Sequence, residues 1–180
     1  MPGRPTRDTT EVTDARDPRD VTGRPPTGPA AVVGGATAAV ERLVARWAAA
    51  DAAGAGRLFA DRVRWWAAPV PGAPWPDVVR SPREVEAFFL AFLGAFELTR
   101  VTTGRLVAAG SDAVLTGRLH ARVHVSGESR SFHFALAVSV RGGLISDFRW
   151  YSDTLEVARA LGTAGVPPVS PNWPHGSVPG

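Results

Sequence analysis

The chain has 180 residues, 44% of them hydrophobic, which is enough for one domain with a substantial core. It contains no cysteine, which excludes a disulfide framework, a thiolate metal site and a cysteine nucleophile. All 20 basic residues are arginine, yet the net charge is only +3 and no basic run with interleaved aromatic residues occurs, so we expect no nucleic-acid partner.

Both ends of the chain are predicted to lie outside the domain. Residues 1–30 mix arginine, acidic residues, proline and threonine without the apolar segment of an export signal, which predicts a disordered tail on a cytoplasmic protein. Residues 165–180 are rich in proline, glycine and serine and predict a flexible tail. No apolar stretch approaches the ~20 residues of a membrane span, so no membrane partner is expected. The domain is therefore expected to cover residues 31–164.

The first half of the domain is predicted to be mainly helical. In ATAAVERLVARWAAA (36–50), Leu43 and Trp47 belong to an apolar face with helical spacing. DAAGAGRLF (51–59) predicts a short second helix, and VRWWA (63–67) predicts a strand followed by a proline-rich loop.

A third helix is predicted from its first turn. Ser81 offers a capping hydroxyl, Pro82 suits the first helical position, and Glu84 completes a capping box. The broad apolar face that follows includes Phe89, so this helix is expected to pack in the core.

The second half of the domain is predicted to form four long antiparallel strands, of which the first two cover 98–108 and 113–125. The second strand alternates strictly and places Arg118 and His120 on its polar face, about 6.6 Å apart along the strand. A turn at 127–128 would pair Val123 with the start of the next strand.

Gly142 and Gly143 link the last two strands, because a two-residue Gly-Gly connection accepts positive φ at both positions. If Arg141 lies opposite Leu144, two small residues on one strand lie opposite two large aromatic residues on the other. The pairs are Ala135 with Trp150 and Ala137 with Phe148. The chain then enters a closing helix capped by Asp153.

This pairing predicts that Arg118 and His120 share a face with Phe148 and Trp150. The small residues beside the aromatic rings leave room for a concavity on that face, although interdigitated packing is the alternative. The reverse face is apolar too, and the helices are too few to cover both. We therefore expect a homodimer that forms through this outer, reverse face, which includes the residues Val123, Phe132, Phe134, Leu136, Val138 and Ile145.

His120 is the best candidate for a general acid or base, since imidazole titrates near neutrality. Arg118 can stabilise a developing oxyanion or a substrate carboxylate. The alternative is that both residues only form hydrogen bonds within a polar sheet face. No metal site is expected, because His120 and His124 lie about 13 Å apart on one strand, too far to bind one ion.

The order of elements, with the phrases RLFADRVRWW (57–66), SPREVEAFF (81–89) and GGLISDFRWYSD (142–153), resembles the SnoaL-like and ketosteroid-isomerase-like branch of the nuclear transport factor 2-like superfamily. The resemblance covers residues 36–162. It implies an α+β fold: a cone-shaped, curved antiparallel sheet packed against three N-terminal helices, with a short closing helix. It also implies an apolar pocket inside the cone.

Two segments resemble the catalytic strands of limonene-epoxide hydrolases. Arg118 matches the arginine of that family and Phe148 its tryptophan, whereas His120 and Trp150 stand where its two aspartates would be. The general-base aspartate of ketosteroid isomerases is also absent, because the matching stretch is WWAA (65–68). The resemblance thus implies the fold and departs from both chemistries.

The predicted catalytic residues are His120 and Arg118. The predicted substrate-binding residues are Trp66, Phe148, Trp150, Asp77 and Phe89. The first hypothesis is a cofactor-independent cyclase, isomerase or hydrolase that acts on a small, apolar, oxygenated metabolite. The alternatives are a ligand-binding or dimerisation module without catalysis, and a scaffold for protein partners. No cofactor is expected.

Overall fold

A single curved, unclosed sheet organises the computed structural model, which describes residues 29–165. The tails predicted at 1–30 and 165–180 fall almost wholly outside the described residues. The elements in chain order are α1 (Pro29–Ala48), α2 (Ala52–Gly56), β1 (Phe59–Ala67), α3 (Pro82–Ala95), β2 (Phe96–Ala109), β3 (Asp112–Val123), β4 (Ser129–Arg141), β5 (Leu144–Ser152) and α4 (Thr154–Ala160). This order confirms the predicted α+β class, with three helices before the long strands and one after them.

The strands lie side by side in the order β1-β5-β4-β3-β2. Strands β2 to β5 are antiparallel neighbours, as predicted, while β1 pairs in parallel with β5 at one edge. None of the helices in residues 29–165 is long and apolar enough to cross a membrane.

The predicted helix caps are present. The Ser81 hydroxyl accepts a hydrogen bond from the backbone N–H of Glu84 at 3.4 Å and begins α3. The Asp153 carboxylate accepts one from the N–H of Glu156 at 3.3 Å and begins α4. Asp51 caps α2 in the same way through the N–H of Gly54 at 2.7 Å.

The β4–β5 hairpin has the predicted turn, because Gly142 and Gly143 have φ of 57° and 81° and Arg141 lies opposite Leu144. Two residues further on, the register changes. Ser139 pairs with Asp147, so Ser146 is an extra residue in β5 and forms a bulge.

Because of this bulge, the predicted pairing with β4 is wrong for the residues of β5 that follow Ser146. Trp150 lies opposite Leu136 and Phe148 opposite Val138, so the prediction that they oppose Ala135 and Ala137 is wrong. Because side chains alternate along a strand, one inserted residue moves every later side chain to the other face. Phe148 and Trp150 therefore join the apolar face of β4.

The β3–β4 turn is centred two residues earlier in the chain than predicted, so Leu119 rather than Val123 lies opposite Phe132. The difference is four residues along the strand, an even number, and each side chain keeps its predicted face. Arg118 and His120 thus remain on the face opposite to Leu119.

The apolar face of the sheet is the inner face, and helices α1 and α3 cover it within the same chain. The predicted homodimer surface is therefore wrong, because a surface already buried inside one chain cannot bind a second copy. Its residues Val123, Phe132, Phe134, Leu136, Val138 and Ile145 are all buried. Homodimerisation itself stays a prediction.

Candidate functional site

The interior of the cone, between the inner sheet face and the helices, is lined by aromatic rings. Trp47 of α1 lies with its ring centroid 4.6 Å from that of Trp150 and 5.3 Å from that of Phe92. Trp150 in turn stacks on Phe134 at 5.0 Å. Edge-to-face and offset-stacked contacts of this kind add to the stabilisation that burial provides.

A second group of rings surrounds Trp65 of β1. Trp65 stacks on Phe148 at 4.3 Å and contacts Phe88 edge-on at 4.8 Å. Trp66 instead lies on the outer face, 4.8 Å from Tyr151. Trp65 therefore occupies the interior, and the predicted substrate-binding residue Trp66 lies outside it.

The proline-rich loop between β1 and α3 closes the mouth of the cone. Trp75 of this loop is buried and contacts Phe92 at 5.3 Å and Phe88 at 6.0 Å. The cavity that remains beneath Trp75 measures about 10 Å³, roughly the space that one water molecule requires. Its lining includes Phe132, Trp150 and the hydroxyl-bearing Ser152. In this closed form the interior is filled, as the interdigitated-packing alternative predicted.

Two hydrogen-bond donors inside the aromatic interior lack an acceptor. The indole nitrogens of Trp47 and Trp65 are buried, and no acceptor lies within reach among the described residues. A buried donor left unpaired costs about 1–3 kcal/mol of free energy. An acceptor brought in by a ligand would remove that cost.

The interior carries no ionisable side chain among residues 35–165, for which burial is defined. Asp147 is the buried charged residue of this segment, and it lies on the outer face, 2.6 Å from the guanidinium of Arg64. General acid–base catalysis inside the cone would therefore need a titratable group that residues 35–165 do not place there.

The predicted catalytic pair does not face this interior. Arg118 and His120 lie on the outer sheet face, because they alternate with the buried residues Leu119 and Ala121. The prediction that they share a pocket with Phe148 and Trp150 is wrong, and the bulge at Ser146 is the physical reason. Their catalytic role stays untested.

The remaining predicted site residues are dispersed. Trp150 lines the small cavity, while Phe148 and Phe89 pack within the core. Asp77 lies exposed in the proline-rich loop, outside the cavity lining. Whether these residues bind a ligand stays a prediction.

The predicted site residues do not include Trp47 and Trp75, the tryptophans that matter most to the interior. The helical spacing of Trp47 predicts only a core position, and Trp75 lies in the proline-rich loop, for which no contacts are predicted. A weak signal was available for Trp75, because tryptophan is highly buried on average.

A family model described as the SnoaL-like domain matches residues 40–148. Among curated proteins, none matches this chain. A solved structure of a nuclear transport factor 2-like protein from Burkholderia thailandensis is 25% identical, with a TM-score of 0.60 over 69% of this chain and 95% of the other.

Two further solved structures share the fold at lower identity. A proposed isomerase from Bacillus subtilis is 14% identical, with a TM-score of 0.66 over 73% of this chain and 96% of the other. A proposed SnoaL-like polyketide cyclase from Jannaschia sp. CCS1 is 16% identical, with a TM-score of 0.61 over 81% and 99%.

Proposed function

Because the chain belongs to the family of SnoaL-like domains, we propose that it binds a small, apolar, oxygen-bearing molecule inside the cone. The observation that carries this proposal is the pair of unpaired indole N–H groups of Trp47 and Trp65 in an otherwise apolar interior. An apolar interior with a few polar groups is typical of small-molecule sites, where the polar groups fix the orientation of the ligand.

Entry of a ligand requires the loop that carries Trp75 to move, since the closed cavity holds only about 10 Å³. Loops that close over a ligand exclude water and strengthen the polar contacts inside. In this proposal Trp75 is displaced when the ligand enters, and the ligand replaces its contacts with Phe88 and Phe92.

Binding without chemistry is the first candidate, because none of the described side chains that line the cavity is ionisable. General acid–base catalysis needs a titratable group within hydrogen-bond distance of the reacting atom. The interior instead supplies fixed donors and aromatic surface, which suit recognition of a carbonyl, ether or epoxide oxygen.

The test compares two ligands of similar size, acetylnaphthalene with a carbonyl acceptor and ethylnaphthalene without one. Titration calorimetry measures both against the unaltered protein and against Trp47→Phe and Trp65→Phe, which remove the indole N–H and keep an aromatic ring. We expect at least one variant to bind acetylnaphthalene about tenfold more weakly, and ethylnaphthalene almost unchanged.

Trp66→Phe is the matched control, since Trp66 lies on the outer face beside Tyr151. It should leave both affinities within about twofold of the unaltered protein. The proposal fails if neither ligand binds saturably, or if the interior variants weaken both ligands equally.

The second candidate is turnover of the same class of ligand by a cofactor-independent cyclase, isomerase or hydrolase. Buried donors favour it, because an N–H group in a dry site stabilises negative charge that develops on a carbonyl oxygen during enolisation or ring closure. A β,γ-unsaturated ketone offers a direct assay, since its isomerisation to the conjugated ketone changes its ultraviolet absorbance. Because no described side chain in the interior can take the α-proton, a buffer base takes it and returns it at the γ-carbon, while the indole N–H groups stabilise the enolate. A rate equal to that in buffer alone would leave binding as the function.

A further inference from the structure

The outer sheet face carries polar side chains near the end of β3. They form three rows, each made of paired residues from β2, β3 and β4 in that order. The rows are Thr102, Arg118 and His133; Arg100, His120 and Ser131; and Glu97, Arg122 and Ser129. Neighbouring rows on one face are about 6.6 Å apart along the strand. We call the residues Arg100, Arg118, His120, Arg122 and His133 the outer basic patch.

Positive charge in this patch is only partly neutralised. Glu97 lies 3.6 Å from Arg122, but within residues 29–165 no carboxylate lies within 4.0 Å of Arg100 or Arg118. Some arginines elsewhere on the described surface have close partners, such as Arg64 with Asp147 at 2.6 Å and Arg46 with Asp51 at 2.8 Å, and others, such as Arg83, have no carboxylate within 4.0 Å among the described residues. Arg100 and Arg118 differ from these because they lie in adjacent rows on neighbouring strands.

Arg118 makes its close polar contact with a weak acceptor. Its Nη2 lies 2.5 Å from Nε2 of His133, so the guanidinium donates and the imidazole nitrogen accepts. Nε2 of His120 lies 3.4 Å from the Thr102 hydroxyl in the same region. An anionic oxygen is a stronger acceptor for a guanidinium than an imidazole nitrogen is, so a bound oxyanion would compete for Arg118.

We propose that the outer basic patch binds a phosphate group of a small molecule. The donors lie on two neighbouring strands, with Arg100 on β2 and Arg118 and His120 on β3, while His133 on β4 accepts from Arg118. A planar carboxylate is satisfied by a single guanidinium fork, whereas a phosphate offers three oxygens in different directions. Donors on different strands and in different rows therefore match a phosphate better than a carboxylate.

This site is separate from the proposed ligand site, since the two lie on opposite faces of the sheet. An occupied patch would leave Trp47, Trp65 and the cavity untouched. Failure of one proposal therefore leaves the other intact.

The probe for the test is pyrophosphate, titrated by calorimetry into the full chain at constant ionic strength. We expect saturable binding that Arg118→Gln weakens about tenfold, the usual effect of removing a charge-assisted hydrogen bond. Arg83→Gln is the control with the same change in charge, because Arg83 is exposed on α3, away from the patch. It should change the affinity by no more than about twofold.

Two results would overturn the proposal. One is the lack of saturable pyrophosphate binding, and the other is an equal loss of affinity in Arg118→Gln and Arg83→Gln, which indicates net charge alone. Phosphatidic acid vesicles test whether the patch binds the phosphate of a lipid headgroup instead. Arg118-dependent sedimentation with phosphatidic acid vesicles, without pyrophosphate binding, would reject a small molecule in favour of a lipid headgroup.

Discussion

Gly117 lies where β3 passes beneath the ring of Phe134. A Cβ atom at this position would lie 2.5 Å from Cζ of Phe134 and 2.6 Å from the carbonyl oxygen of Thr102. Gly117→Ala is therefore expected to destabilise the protein by about 1–3 kcal/mol, because the ring and the backbone must shift to admit a methyl group. Urea unfolding followed by tryptophan fluorescence measures the loss.

Gly94→Ala provides the matched comparison, because a Cβ atom at Gly94 meets no atom within 4 Å and the residue lies inside helix α3. Alanine has the higher helix propensity, so this variant should be more stable by about 0.5–1 kcal/mol. Equal effects of the same sign at both glycines would contradict the steric argument.

Asp51 is a single residue that is expected to make the free energy of unfolding depend on pH. The hydrogen bond from the N–H of Gly54 lowers the pKa of Asp51 below its ordinary value of 3.8, and Arg46 lowers it further, while desolvation opposes them. A carboxyl with a depressed pKa stabilises the fold above its unfolded value, and this contribution is lost as pH falls through the folded value. We therefore expect the stability advantage of the protein over Asp51→Asn to shrink as pH falls below 3.8 and to be lost only below the depressed pKa that Asp51 has in the folded protein.

Urea unfolding of both proteins from neutral to acidic pH measures this difference. Asp153→Asn, which changes the cap of α4, is the comparison. It measures how much the free energy of unfolding changes at acidic pH when a different helix cap is altered. A difference between the protein and Asp51→Asn that grows as pH falls would have the wrong sign and would refute the assignment.

At the scale of elements, the bulge at Ser146 decides which side chains of β5 face the core. Deleting Ser146 would restore unbroken alternation and turn Phe148 and Trp150 toward the outer face, or else break the pairing of β5 with β4. Either change exposes large aromatic surface. We expect the deletion variant to lose cooperative unfolding and near-ultraviolet circular dichroism, the signs of lost packing.

Ser146→Ala keeps the residue count and serves as the comparison. It removes only the hydrogen bond from the Ser146 hydroxyl to the carbonyl of Ser139, which spans 3.3 Å, so it should cost about 1 kcal/mol. A deletion variant as stable as Ser146→Ala would show that the register can adjust without the bulge.

The elements also show what the sequence could predict. Helix α3 was predicted from Ser81 and Pro82, and the β4–β5 turn from two glycines, because caps and turns depend on local chemistry. The bulge was not predicted, although Ser146 and Asp147 together break the apolar alternation of β5. That break was interpreted as an ideal strand with apolar residues on both faces. The predicted α+β class is correct, because it does not depend on the bulge. The predicted arrangement of the site is wrong, because the face on which each side chain lies depends on the position of every residue in the strand.

At the scale of the whole molecule, Trp75 joins the loop to the core. Trp75→Ala removes its contacts with Phe88, Phe92 and Phe96, and should cost about 3 kcal/mol. Opening the mouth should also make the remaining interior tryptophans easier to quench with acrylamide. Thermal unfolding and fluorescence quenching measure the two effects.

Trp75→Phe keeps an aromatic ring in the loop and should preserve most of the stability and the resistance to quenching. A Trp75→Ala variant that loses stability without any gain in quenching would mean that the loop stays closed without its indole. In that case the loop would not be the route by which a ligand enters.

The parallel pairing of β1 with β5 sets the order in which the polypeptide can acquire its structure. Residues of β1 are made before those of β5, which is their neighbour in the sheet that residues 29–165 form, and the three other strands of that sheet are made in between. Until β5 emerges, Trp65 lacks the ring of Phe148 on which it stacks, and the nascent protein presents uncovered indole surface to its surroundings. Assembly is thus expected to finish after translation has passed α4, with chaperones having access to that surface in the interval.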